Sequence, residues 1–287
     1  MNLNDFSYIK FIELAWQLVI AIPAYSNKYS RKDFTQQQLL ILLILKQKLR
    51  VSYEMLLADL MTRPIIQQLI GLKRLPVTST LKMFARRIKS VVLHHLLGDC
   101  TLLTGKQKLK VAIDATGFHV EDGSYHYRKR LGKQAKVRKN VKLSIAVETD
   151  KQIVLAARVR KSKAHDTKDL KPLLIKTAHI KPCAIVVLDK GYDAEASHEI
   201  AHDLGMECII PPRYADVPIH RTKGFYRKQM KRGYSKKKYH QRSKVETVNS
   251  VLKRVFGAIV HARKWCMQVK EMLFKLLAYN LYRLTRI

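Results

Sequence analysis

The feature that most limits what this chain can fold into is a change of period near residue 105. Before it, apolar residues recur at helical spacing; after it, strand-length runs appear. Lys110–Val120 reads K-V-A-I-D-A-T-G-F-H-V, and Val141–Thr149 and Gln152–Arg160 are two further runs joined by a tight Thr149-Asp150-Lys151 turn. This predicts three antiparallel strands in succession. Asp166–His179 reads as a helix (Leu170, Leu173, Leu174), with Pro172 placing the start of its regular part late. Ala184–Leu188 is a short apolar run without alternation, as a strand covered on both faces would be, and it ends at Asp189. Gly191 turns the chain into a helix over Ala194–Leu204, and Glu207–Ile210 is a fifth strand before Pro211 and Pro212. A last helix, Tyr239–Lys253, follows.

The order β-β-β-α-β-α-β-α predicts an α/β fold with a ribonuclease-H-like mixed sheet. An all-α region precedes it. Residues 4–22 carry apolar side chains at helical spacing and stop before Pro23; Thr35 with Gln38 is a capping-box pair opening a very apolar helix to about Leu49; Ser52 caps Tyr53–Met61; Ile65–Ile70 is a short helix. From Ser79, Leu81, Phe84, Ile88 and Val91 form one stripe and Lys82, Arg86 and Lys89 a second. Several short helices ending in a basic one resemble a helix-turn-helix unit, which makes Lys82, Arg86 and Lys89 candidate DNA contacts; a bundle whose cations only keep it soluble is the alternative.

Charge narrows the class of partner. Across 287 residues, 55 Lys and Arg face 22 Asp and Glu, a formal net charge of +33. Such a chain repels itself unless a polyanion is near, and nucleic acid comes first. Residues 1–104 carry 14 basic and 6 acidic side chains, against 41 and 16 in 105–287, so the second part is the more basic. Two connections concentrate the charge. Residues 121–140 hold Arg128, Lys129 and Arg130 beside Tyr125 and Tyr127, and residues 214–238 interleave Lys and Arg with Tyr226 and Tyr234, a composition suited to phosphate contact and base stacking. Cys100, Cys183, Cys208 and Cys266 have no C-x-x-C spacing, which argues against a zinc module or disulfide scaffold and fits a reducing cytosol. No apolar run is long enough to span a bilayer, and no signal peptide is read at the N-terminus, so a cytoplasmic protein with no membrane partner is expected.

Three acids carry the chemistry. Asp114 lies inside the strand V-A-I-D-A-T, where a charge is costly unless something offsets its desolvation. Asp189 ends the fourth strand at the edge where open α/β sheets place ligands. On a helix, Tyr239, Arg242, Glu246 and Lys253 fall within roughly a 60° arc, while Val248, Val251, Leu252, Val255 and Ile259 lie opposite. Glu246 would then project over the edge where the first and fourth strands bring the aspartates together. Three hard oxygen ligands without His or Cys suit Mg²⁺ or Mn²⁺, and two such ions about 4 Å apart would serve phosphoryl transfer.

These residues resemble a family. The D…D…E set, the strand-end L-D-K-G-Y-D and the Tyr239-(2)-Arg242-(3)-Glu246-(6)-Lys253 spacing are similar to the DDE-class transposases of insertion sequences marked by a Y-R-E-K signature, over about 109–285. The resemblance implies that Asp114, Asp189 and Glu246 bind two Mg²⁺ or Mn²⁺ ions, and that Tyr239, Arg242 and Lys253 contact DNA at the scissile phosphate. It implies DNA partners, the element's terminal inverted repeats and the target, and a homodimer on DNA at the nucleoid of a prokaryote. The His165-Asp166 pair also resembles a recurring feature of the group, with an N-cap role for Asp166 as the simpler account. Only 57 positions separate Asp189 from Glu246, and neither Trp16 nor Trp265 lies between them, so the long β insertion that supports hairpin formation in some members is missing.

The expected organisation is a helical DNA-end-binding region over 1–104, a catalytic domain over 105–265, and a C-terminal helix over 266–287 packing on the sheet or forming a dimer contact. The expected function is insertion-sequence transposase. The alternatives are a nuclease or resolvase of the same fold that stops at hydrolysis, and a transposase-derived DNA-binding protein that no longer cuts.

Overall fold

Strand β1 (Leu109–Val120) is the element on which the sheet is assembled, because both of its edges are paired. In the computed structural model, which describes residues 3–105, 108–120, 130, 140–161 and 165–287, β1 pairs antiparallel with β2 (Asn140–Glu148), and β2 with β3 (Ile153–Arg160). On its other edge β1 runs parallel to β4 (Cys183–Val187), and β4 to β5 (Glu207–Ile209), giving the order β3-β2-β1-β4-β5. A two-residue strand, β6 (Ile259–Val260), pairs with the far end of β1 at His119 and Val120. This is the ribonuclease-H-like order expected from the sequence.

Period 2 in β1 assigns its residues to opposite faces. Leu109, Val111 and Ile113 enter one core with Leu170, Leu173 and Leu174 of helix α7 (Thr167–Ile180) and Ala201 of α8 (Glu195–Asp203). Ala112 and Phe118 enter the other, with Val245, Val248 and Leu252 of α11 (Ser243–Val255) and the middle of α12 (Trp265–Leu284). That second core also holds the N-terminal helices α1 (Leu3–Val19), α2 (Gln36–Leu49), α3 (Tyr53–Met61), α4 (Pro64–Leu69), α5 (Thr78–Arg87) and α6 (Ser90–Asp99). Helix α2 is apolar on every side and accordingly central: Leu39 to Leu45 are all buried. Its start is the capping box read from the sequence, with Gln38 N–H donating to Thr35 Oγ1 (3.2 Å) and Thr35 N–H to Gln38 Oε1 (2.9 Å).

Four local expectations need correction. The basic helix α5 stops at Arg87, since Ile88 adopts ψ 131°; Lys89 therefore precedes α6 and Val91 is exposed on it. Helix α7 runs through Pro172 without a late start. The carbonyl that proline leaves without its helical donor, that of Lys168, accepts Arg160 Nη2 at 3.5 Å. Asp166 makes no capping bond and instead pairs with Lys142. Finally, Tyr239–Lys253 is not one helix. The short helices α9 (Phe225–Arg232) and α10 (Lys236–Tyr239) and a 3₁₀ turn at His240–Arg242 precede α11, whose core stripe closes on Phe256, leaving Val255 and Ile259 partly exposed. Of the basic connection 121–140, Arg128 and Lys129 lie outside the described residues, and Arg130 is exposed.

A groove between α6 and α7 sets a pH dependence. Burial, then the charges of Lys176 and His95, depress His94 from 6.5 to about 4. A histidine held neutral when folded contributes stability that is present above 6.5 and is lost as pH falls through 4. After discounting for its partial exposure, about 2 kcal/mol should disappear over that window. His94→Leu should flatten the urea-midpoint profile there; a wild-type profile already flat between those limits would remove His94 as its origin.

Candidate active site

The three acids arrive from β1, from the end of β4 and from α11. The parallel register of β1 and β4 pairs Val111 with Val186 and Ala112 with Val187. The pairing ends there, and two residues further along each chain stand Asp114 and Asp189, at the point where the two strands cease to pair. Both belong to the face that α11 covers. Beyond Ala112 the β4 edge of β1 carries no strand among the described residues until β6 begins at His119, so the site is a gap in the sheet roofed by a helix. Asp189 is held where β4 ends, its Oδ1 accepting the Lys190 N–H at 2.7 Å.

Helix α11 fixes Asp114 directly: Asn249 Nδ2 donates to Asp114 Oδ2 at 3.1 Å. Glu246 stands one turn earlier on that helix, half exposed, with Oε1 at 2.7 Å from Arg242 Nη2. Lys253 lies about 10 Å further along α11, its Nζ 5.8 Å from the centre of the Phe118 ring on the same face of β1 as Asp114. Tyr239 precedes the helix with its ring 6.0 Å from the Arg242 guanidinium. Asp114, Asp189, Glu246, Tyr239 and Arg242 are thus brought to one edge, with Lys253 at its far end.

The charges act on one another. Burial raises the Asp114 carboxyl above its ordinary range and Glu246 raises it further, against the Ala115 N–H, Arg242 and Asn249. Burial also raises Tyr239, with Arg242 opposing and Asp189 reinforcing the shift. For Arg242, burial works to lower its pKa, but Tyr239, Glu246 and Asp189 outweigh it and hold it raised. A guanidinium paired with Glu246 and near Asp189 at a sheet edge can grip a phosphate oxygen while the carboxylates' negative charge receives a hard cation. Glu246 faces Arg242, and among the described residues no three His, Cys, Asp or Glu side chains stand as a formed metal cage. The donor set still fits a hard divalent ion: acidic oxygens whose mutual repulsion disfavours the ionised state of the buried member.

The remaining candidates lie elsewhere. Lys82 and Arg86 are exposed on α5, where Lys82 pairs with Glu54 at 3.1 Å; Lys89 is exposed between α5 and α6. Two neighbours of the site went unnoticed in the sequence. Asn249 was concealed as a polar residue within the buried stripe of α11, and Tyr192 within L-D-K-G-Y-D. The Tyr192 side chain is buried, its hydroxyl has no hydrogen-bond partner among the described residues, and its pKa is raised by burial and then by Asp166, Asp114, Asp169 and Asp189. Behind it, buried Asp169 collects Ser144 Oγ (2.9 Å), Arg158 Nε (2.8 Å) and Arg160 Nε (2.5 Å), tying β2, β3 and α7 together on the opposite face.

In the 214–238 connection, part of the charge is structural. Arg227 grips Asp193 through two bonds of 2.9 and 3.2 Å, and Glu195 accepts the Tyr226 and Arg227 N–H groups at the start of α9. Gly224, at φ 97°, leaves the room this needs, because a Cβ there would stand 2.0 Å from Glu195 Oε2.

A family described as transposase DDE domain matches residues 105–281. No curated protein matches. Among solved structures, a cryo-EM piggyBac transposase synaptic complex with hairpin DNA is similar at 9% identity and a TM-score of 0.49, covering 97% of this chain and 72% of that one.

Proposed function

The chain belongs to the DDE-domain transposases, and from that membership we propose that it is the transposase of an insertion sequence, acting on the element's terminal inverted repeats and on target DNA at the nucleoid. The observation that carries the reading is the placement of Asp114 and Asp189 on neighbouring parallel strands beneath a helix that anchors Asp114 through Asn249 and carries Glu246 one turn away.

In this reading Asp114, Asp189 and Glu246 would hold two Mg²⁺ or Mn²⁺ ions, which when bound polarise the attacking oxygen and stabilise the leaving one. The residues then divide the work. Arg242 orients the scissile phosphate with the face of its guanidinium that Glu246 leaves open, Tyr239 supplies a hydroxyl and a stacking surface, and Lys253 holds the backbone beyond. Water attacks phosphorus at the element end, its hydroxyl stays on that phosphate, the P–O3′ bond breaks, and the departing 3′ oxygen takes up the proton the water gives up. That hydroxyl next attacks a target phosphorus, forms a new P–O3′ bond and displaces the target's own 3′ oxygen. Both ends must be held together for this, so a homodimer assembles on DNA. The net charge of +33 supports binding that weakens steeply with salt.

The test is a joining assay with supercoiled plasmid and end-bearing DNA. Cut ends and joined products should both form with Mg²⁺, vanish with chelator and return with Mn²⁺. Cutting without joined product would make the chain a nuclease or resolvase of this fold; retention without cutting would make it a DNA-binding protein.

A further inference from the structure

A groove runs from the end of α11 towards α5, and Lys and Arg side chains recur along its lining. One wall is α2, α3 and α5; the other is the last turn of α11 with β6. A cavity of about 830 Å³ lies between Lys46, Arg50 and Lys82 on the first wall and Lys253 and Arg254 on the second, and it continues into one of about 370 Å³ that reaches Arg86. The two share Lys46, Gln47, Tyr53, Lys82 and His261 and therefore adjoin.

The acids offset only part of it. Glu54 and Glu271 are the carboxylates in its lining. Glu54 is taken by Lys82, and Glu271 accepts the backbone N–H groups of His261 and Ala262 (3.1 and 2.8 Å) and faces buried Lys275 at 3.6 Å. The cations are held in place: Lys46 and Lys82 both lie over the Tyr53 ring, and Arg50 donates to the Arg254 carbonyl at 3.2 Å, bridging the two walls. Like charges focused in a concavity raise the local potential and suit a chain of phosphates.

Continuity fixes where the polyanion comes from. Lys253 heads the groove and also closes the candidate site, about 10 Å from Glu246 along α11, which is about three base steps measured along a duplex axis. We propose that this groove is the track for the DNA strand leaving the catalytic edge, so that the N-terminal helices and the sheet domain grip one backbone from opposite sides. The proposal rests on the transposase reading and adds the path of its substrate.

The experiment compares three full-length proteins binding a labelled random-sequence duplex by fluorescence anisotropy, over about 50 to about 200 mM salt. They are the wild type, the groove variant Arg50→Gln/Lys82→Gln/Arg254→Gln, and the control Lys28→Gln/Lys32→Gln/Lys171→Gln, which removes the same charge from exposed positions elsewhere. The groove variant should lose at least about tenfold in affinity at low salt and flatten the plot of log K against log salt by about 2 to 3, at roughly 0.9 per lost phosphate contact. The control should keep the wild-type slope. Equal slopes for wild type and groove variant, or equal losses in groove variant and control, would overturn the track and leave the transposase reading standing. A wild type without salt-sensitive DNA binding would end both. Should the triple variant melt early, Lys82→Gln and Arg254→Gln taken singly must each lower the slope by about 0.9.

Discussion

Glu246→Gln should lower strand cleavage and joining by on the order of 10³-fold or more in Mg²⁺ while leaving the fold and DNA affinity in place. The argument for so clean a separation is geometric. Glu246 is half exposed on the first turn of α11 and pairs with Arg242, an i,i+4 pair of the kind that contributes little to stability at a surface. Glutamine keeps the side-chain length and removes the charge that a hard cation requires. Melting temperature should therefore stay within about 2 °C of wild type, and duplex binding should be unchanged or slightly tighter, because one negative charge near the phosphate has gone. Arg242→Lys should behave differently, weakening both binding and turnover, since a point charge cannot replace a planar fork. A Glu246→Gln protein that joined ends within about tenfold of the wild-type rate would remove this residue from the chemistry. The reading would then have to be rebuilt on Asp114 and Asp189 alone.

How much of this was legible in the sequence follows the range of each interaction. The capping box of α2, the Ser52 cap of α3 and the β2–β3 hairpin are decided by residues a few positions apart, and each was readable. The β-β-β-α-β-α-β-α order was readable because period 2 and period 3.6 leave distinct patterns. The break before α11 was not. Lys236 to Lys244 have no fully buried side chain, so the regular helix begins only as Val245 reaches the core. Periodicity extended the pattern through residues that nothing packs against. Pro172 and Asp166 misled for the opposite reason: partners from other strands, Arg160 and Lys142, supply what local rules said was missing or required.

The same division applies within the site. Asp114, Asp189 and Glu246 could be singled out as an ordered set, since a charge inside a strand is unusual but an Asp at a strand end or a Glu on an exposed helix face is ordinary taken alone. Asn249 looked like one more residue of α11, and its bond to Asp114 spans 135 positions. The basic groove is assembled from residues 46–86 and 253–275, so no window of sequence contains it. Lys270 is equally long-range: buried on α12, it donates to the Ala85 and Arg86 carbonyls and caps the C-terminus of α5, which ends without a glycine.

The most damaging single change to stability is expected at Asn280. β3 is the outer strand of the sheet, and an unpaired strand edge must be satisfied or covered. Fully buried Asn280, on α12, does this as a further strand would: its Oδ1 accepts the Val154 N–H at 2.9 Å and its Nδ2 donates to the Val154 carbonyl at 2.8 Å. Around it, Tyr279 Oη donates to the Gln152 carbonyl at 2.9 Å and Arg283 Nε to that of Lys151 at 3.0 Å, so one helix clamps the whole β2–β3 turn. Asn280→Leu keeps the volume and leaves both Val154 groups buried without partners. At about 1 to 3 kcal/mol for each, the loss should be about 3 to 5 kcal/mol, or about 10 °C in Tm for a chain of this size. Tyr279→Phe, which exposes one carbonyl in a less enclosed place, should cost about 1 kcal/mol. That ranking separates the hydrogen-bond account from simple packing, under which a buried leucine in an apolar helix would be neutral or stabilising. An Asn280→Leu protein that melts at or above the wild-type temperature, with Tyr279→Phe the worse of the two, would show that apolar contacts of α12 hold the outer strand.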